Sequence, residues 1–418
     1  MELEFGFSET EITPHTPIQT IGFGVQEPAT GVERALMAQA TVWRLGETIC
    51  AVIAIDHIGF AIDHARSLRT RIADWIDAGL EQVMLCFSHT HAAPNDSAEP
   101  EYSEWVDERV LDAVRRAMNG MLPVRAAWGC ADVEIGVNRR MGALLDRRAG
   151  ILKVVDAKTG ANAFALLRLT AHGNALKADN RLISPDWIGA ARDWISKKLH
   201  CPVMITQGAS GNVAPKYFCS KLNPPDADDT SGRFVRTDDA LNEMARTVWK
   251  DVGRVFDGIQ AREVRTLRMH SARKALLARV PEMPRAREIA EEAHRAAGID
   301  GTRWLREVAR LNAEGVKKQY ETVEMQFFQL DEGALIGVAN EIMCELALEV
   351  AEKAGETVFL GGYTNGSAGY LPTAEEYDRG GYEVFWSMLE YFMYYPRVMP
   401  LERDSAETIV EMALEGIR

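Results

Sequence analysis

The chain has 418 residues, of which 47% are hydrophobic and 26% charged, a balance that permits a buried core without disulfides or structural metals. Its formal net charge of −14 excludes the basic footprint that a polyanion or an anionic membrane surface demands. Neither a nucleic-acid partner nor electrostatic docking on an anionic membrane is therefore expected, and the plain reading of the charge is solubility. Six scattered cysteines (Cys50, Cys86, Cys130, Cys201, Cys219 and Cys344) include no C-x-x-C pair, which argues against a disulfide framework and against a cysteine zinc site.

In chain order, the opening Met1-Glu2-Leu3-Glu4-Phe5 lacks the basic start and long apolar stretch of a signal peptide. No apolar run is long enough to cross a bilayer, so a reducing cytoplasm is the expected location. Thr48–Ile55 is a short apolar run that ends at Asp56-His57. The run 82–87 ends at Ser88-His89-Thr90-His91, and 164–169 at Thr170-Ala171-His172-Gly173-Asn174. Likewise 202–206 ends at Gln207-Gly208, 334–339 at Asn340-Glu341, and 357–360 at Gly361-Gly362-Tyr363. Runs this short, bounded by Gly, Asn or Asp, read as buried strands. Residues 66–77, 103–121 and 185–199 carry apolar residues at helical spacing, the last behind a Ser184 cap with Pro185 in the first turn. The alternation implies an α/β fold, a mixed sheet flanked by helices with the active site at strand ends. From about Met269 to Tyr320 the sequence turns rich in Arg, Glu and Ala. It reads as a helical insertion within a single domain spanning 1–418.

The strand ends carry the chemistry. His89 and His91 lie two apart, a spacing that puts both on one face of a strand. Alone, an H-x-H is weak, and a lone buried histidine such as His172 is more often a satisfied core imidazole than a ligand. A carboxylate is seldom left at the end of an apolar strand without a partner, and Glu341 is in that position. Two histidines and a glutamate delivered by three strand ends form the donor set of a catalytic zinc site, with a position left for water. The same donors serve manganese or iron. Further along, Gly366 and Gly369 precede Tyr370 and allow close backbone approach.

These segments follow the order found in the neutral, non-lysosomal ceramidases. Glu11-Ile12-Thr13-Pro14 with Gly22-Phe23-Gly24 resembles that family's opening, and Ser88-His89-Thr90-His91 with Pro94 resembles its histidine motif. Asn138-Arg139 resembles its arginine loop, and Gln207-Gly208 to Pro215 its Q-G-x-x-G-D-V-S-P-N segment. Tyr370 to Tyr377 and then Tyr382-Glu383 resemble its Y-V-T-T-x-E-E-Y…Y-E ending. The resemblance implies zinc held by His89, His172, Glu341 and Tyr370, with His91, Arg139 and Tyr382 handling the substrate carbonyl and the attacking water. Asp56 or Asn174 would orient a ligating imidazole. Asn212 and Ala214 replace the family's aspartate and serine, which excludes that serine as a nucleophile and favours metal-activated water. The histidine motif ends in Ala-Ala-Pro-Asn rather than Ser-Gly-Pro-Gly, and no C-terminal immunoglobulin-like domain follows. The expected activity is zinc-dependent cleavage of an amide in a small N-acylated substrate. A lactone or ester hydrolase on the same site is one alternative, and a non-enzymatic binding protein on a degenerate hydrolase scaffold is the other. Nothing in the sequence sets the oligomeric state.

Overall fold

A computed structural model describes residues 2–24, 27–96, 99–140, 144–220 and 232–418. Among these, an eight-stranded sheet has the spatial order Val203–Gln207, Asn162–Leu169, Arg148–Asp156, Leu122–Asp132, Leu3–Glu11, Met37–Leu45, Thr48–Ile55 and Val83–Phe87. Each edge strand runs parallel to its neighbour, while the inner pairs are antiparallel. A second, four-stranded sheet contains Leu267–Arg279, Lys318–Leu330, Gly333–Val338 and Val358–Gly361, the last two parallel.

The apolar runs are continuous because both faces of the first sheet are covered. In Thr48–Ile55, Ala51, Ile53 and Ile55 face one way and pack with Leu68 and Ile72 of helix Ile62–Ile76 and Val106 and Val110 of helix Pro100–Asn119. Their neighbours Cys50, Val52 and Ala54 point the other way and meet Phe328, Leu335 and Phe359 of the second sheet. Asn162–Leu169 repeats this. Ala165, Leu167 and Leu169 join helices Asp186–Leu199 and Thr237–Gly258, whereas Phe164 and Leu166 enter the space between the sheets. Helices Cys344–Ala354 and Ser405–Gly416 cover the far face of the second sheet. The result is helices, sheet, sheet and helices in layers, the α/β architecture with helical insertion expected from the sequence.

Two boundaries differ from the sequence reading. Leu267–Arg279 is a strand, and the insertion is confined to helices Met283–Ala297 and Thr302–Ala313 at the end of a long antiparallel hairpin. The outer part of that hairpin is exposed on one face only, with Leu276, Ala278, Glu321 and Val323 buried on the other, so its strands interleave Arg, Lys and Glu with apolar residues as the solvated face of a helix would. The two helices are no free-standing cover either. Ile289, Trp304 and Val308 pack against Met388, Leu389 and Phe392. The helix expected from Pro185 starts at Asp186. Ser184 Oγ accepts from the Asp186 N–H at 3.0 Å.

Candidate metal centre

His89 follows the edge strand Val83–Phe87 and has a left-handed backbone, with φ of 56°. Its N–H donates to the His57 carbonyl at 2.9 Å, and its Nδ1 donates to the Ile58 carbonyl at 2.6 Å. A proton on Nδ1 leaves Nε2 as a free lone pair. His172 follows the strand Asn162–Leu169. Its Nδ1 lies 3.2 Å from the Ser210 carbonyl, which assigns the same tautomer. The two histidine segments touch directly. The His91 N–H donates to the Gly173 carbonyl at 3.0 Å, and any Cβ on Gly173 would run into the His89 carbonyl.

The ring centroids of His89, His91 and His172 lie 4.6–5.1 Å apart, and one nitrogen from each falls within 4.8 Å of the other two. The turn at His89 brings the first two together, not the pleat of a strand, which has already ended at Phe87. Glu341 enters from the second sheet. Its Oε2 is 3.3 Å from His89 Nε2 and 3.7 Å from His172 Nε2. A two-residue parallel ladder sets Glu341 opposite Tyr370, so a carboxylate and a phenol far apart in sequence are neighbours in register.

Nε2 of both His91 and His172 is buried without a hydrogen-bond partner, a costly state for a polar atom. Burial, with His89 and Arg139 close by, holds both imidazoles well below the ordinary histidine pKa. Neutral imidazoles with orphaned lone pairs beside a carboxylate are what a divalent transition metal needs. The cluster His89, His91 and His172 therefore fits a metal ion, and Glu341 adjoins it.

The remaining expected residues surround this cluster. Arg139 donates to the Gly211 carbonyl at 2.6 Å and to the Tyr370 hydroxyl oxygen at 3.1 Å, and it pairs with Glu383 at 3.0 Å. The Tyr382 ring stands 6.3 Å from that of Tyr370, and its hydroxyl donates to Glu390 at 3.1 Å. His89, His91, Glu341, Tyr370 and Tyr382 all line one narrow cavity of about 70 Å³. His172 and Arg139 are not part of its wall.

Asp56 and Asn174 do not orient a ligating imidazole. Asp56 is buried against Arg192 at 2.8 Å and accepts from the Met37 N–H, and Asn174 Oδ1 is without a partner. The backbone carbonyls of Ile58 and Ser210 take that task. Tyr363 was missed by sequence reasoning. Its hydroxyl accepts from Ser210 Oγ at 3.0 Å and lies 3.4 Å from His172 Nδ1 and 3.5 Å from Glu341 Oε2. The signal available was its place directly after a buried strand, behind Gly361-Gly362. Asn212 accepts from the Cys344 N–H at 2.9 Å and donates to Glu345 at 2.8 Å, a structural tie at the start of helix Cys344–Ala354.

In a comparison with solved structures, a crystal structure of neutral ceramidase from Pseudomonas aeruginosa matches 99% of this chain and 74% of its own, with a TM-score of 0.74 and 20% identity. The fold is that of the neutral ceramidases. A ceramidase complexed with C2 matches 100% of this chain and 75% of its own, at a TM-score of 0.72 and 18% identity. No protein-family model and no curated protein matches the chain in sequence.

Proposed function

We propose that the protein is a metal-dependent hydrolase that cleaves the amide bond of a small N-acylated substrate with water, and that zinc is its ion. The convergence of His89, His172 and Glu341 from two sheets on orphaned imidazole nitrogens is the observation that carries this reading. His89, His172 and Glu341 would hold the ion, and Tyr370, whose oxygen is supported by Arg139, would complete the donor set. When bound, such an ion supplies the positive charge that acidifies a water and polarises the scissile carbonyl.

The protein's own groups do the rest. Neutral His91 takes the proton from the attacking water and delivers it to the leaving nitrogen. Tyr382 donates to the oxyanion, for which its hydroxyl exchanges Glu390 for the substrate. Arg139 holds the Tyr370 oxygen in place through its hydrogen bond and is itself fixed by Gly211 and Glu383. Among the described residues no helix is long and apolar enough to cross a membrane.

The test separates ligand from proton carrier. His89→Ala should lose both metal and turnover. His91→Ala should keep the metal and lose turnover by about 10²–10⁴-fold, and Tyr382→Phe should keep the metal and lose about 10²–10³-fold. Metal content by elemental analysis and amine release are measured on the same preparations. If His91→Ala loses its metal as fully as His89→Ala, then His91 is a third nitrogen ligand, the arrangement that the close approach of the three rings also permits. Protein that stays empty when refolded with zinc, manganese or iron would sink the proposal.

A further inference from the structure

The cavity beside the histidines is narrow. Its wall draws on several chain segments, two of them from opposite ends of the sequence. From one end come Ile21 and Gly22, and from the other Tyr391, Tyr394 and Tyr395. They are joined across the cavity by a hydrogen bond from the Gly24 N–H to the Tyr391 hydroxyl at 3.1 Å. Phe23 sets its ring edge-on against His91 at 4.8 Å, and a Cβ on Gly22 would collide with the His91 ring. Behind Tyr391, Glu390 takes the Tyr382 hydroxyl, and Leu389 packs into the core formed with the insertion helices. Tyr391 is thus held by the Gly24 hydrogen bond and by the packing of the segment that carries it.

A volume of about 70 Å³ is about half that of an apolar cavity that holds one benzene, and far below the roughly 300–1,000 Å³ of pockets that enclose large ligands. Resting on the hydrolase reading above, we infer that this site accepts only short acyl groups, of about two to four carbons, and that Tyr391, clasped to Gly24, sets that limit. Longer chains meet Tyr391, Tyr394 and Tyr395 on one side of this narrow cavity, whose wall also carries His91 and Glu341.

The experiment uses the full chain loaded with zinc and a series of N-acyl derivatives of 2-aminoethanol, with amine release followed by fluorescence. Acetyl and butyryl compounds should be cleaved, and kcat/KM should drop by at least about a hundredfold at octanoyl, since each methylene that does not fit costs about tenfold or more. Tyr391→Ala should bring the octanoyl rate toward the butyryl rate. Tyr394→Ala, at a half-exposed position of the same wall, is a second variant should the first fail to fold. Wild-type protein that cleaves octanoyl as well as acetyl overturns the size limit and leaves the hydrolase reading standing. If no amide of any length is cleaved, amide hydrolysis falls instead, and the limit is read from calorimetric binding of acetohydroxamate against octanohydroxamate. Tighter binding of the short compound upholds it. Equal or tighter binding of the long one, or binding of neither, overturns it.

Discussion

His89 owes its place to a backbone conformation that few side chains adopt. A non-glycine residue at φ of 56° costs about 1–3 kcal/mol unless its surroundings impose it. Here the N–H is held by His57 and the ring by the Ile58 carbonyl. Gly173 makes the arrangement possible, because its missing side chain lets the His172 segment lie against the His89 carbonyl. Gly173→Ala should therefore separate the two histidine segments. We expect a loss of about 1–3 kcal/mol in stability from overpacking, read from urea unfolding, and a metal content well below one ion per chain in the same protein. A variant with normal metal content would show that the segments part without moving the imidazoles.

At the scale of elements, helices Ile62–Ile76 and Pro100–Asn119 are tied by His64. Its Nδ1 meets Asp96 at 3.0 Å and its Nε2 meets Asp107 at 3.0 Å, while Phe60 stacks on the ring at 4.1 Å and Arg71 approaches Asp107 at 3.4 Å. Burial works against the His64 charge, but the Asp107 and Asp96 carboxylates outweigh it and push the pKa up to about 9. A raised histidine pKa stabilises the fold fully below the unfolded value of about 6.5 and ceases to do so as the pH rises through 9. Wild-type protein should lose stability between pH 6.5 and about 9, and His64→Gln should be weaker at pH 6 with this component of the slope removed. Parallel urea midpoints at pH 6 and pH 9.5 for the two proteins check the sign. The strands that end in His89, His172 and Glu341 were legible because burial on both faces makes them apolar throughout. The hairpin of Leu267–Arg279 and Lys318–Leu330 was not, since its outer half is buried on one face only and the charged residues on the other break the apolar run. The pairing of Glu341 with Tyr370 was legible only through family resemblance: a ladder of two residues leaves no periodicity to read. Nor could spacing reveal Ile58 and Ser210, whose contribution is a backbone carbonyl that every residue possesses.

At the scale of the whole molecule, the cluster sits where the two sheets meet. His89 and His172 end strands of the first sheet, while Glu341 follows a strand of the second. An ion bound there links layers that are otherwise joined by apolar packing, notably Trp43 on Phe328 at 5.5 Å and Trp128 on Phe359 at 5.8 Å. Binding to the native state alone stabilises it by about 2.7 kcal/mol when free ion exceeds Kd about a hundredfold. Dialysis against a chelator should lower the Tm by a few degrees, and zinc should restore it, with magnesium ineffective because the imidazole donors suit a softer ion. Calorimetry of the apo and refilled protein measures both, and an unchanged Tm would place the ion outside the junction.

The division of the donors between sheets also has a consequence for synthesis. The two histidines leave the ribosome about 10–30 s before Glu341 at ordinary elongation rates. During that interval the nascent chain offers a bare pair of imidazoles, which by intrinsic affinity would favour copper over zinc. The carboxylate arrives only when the second sheet docks, so on the hydrolase proposal selection among metals would be exercised by the finished fold and not by the growing chain.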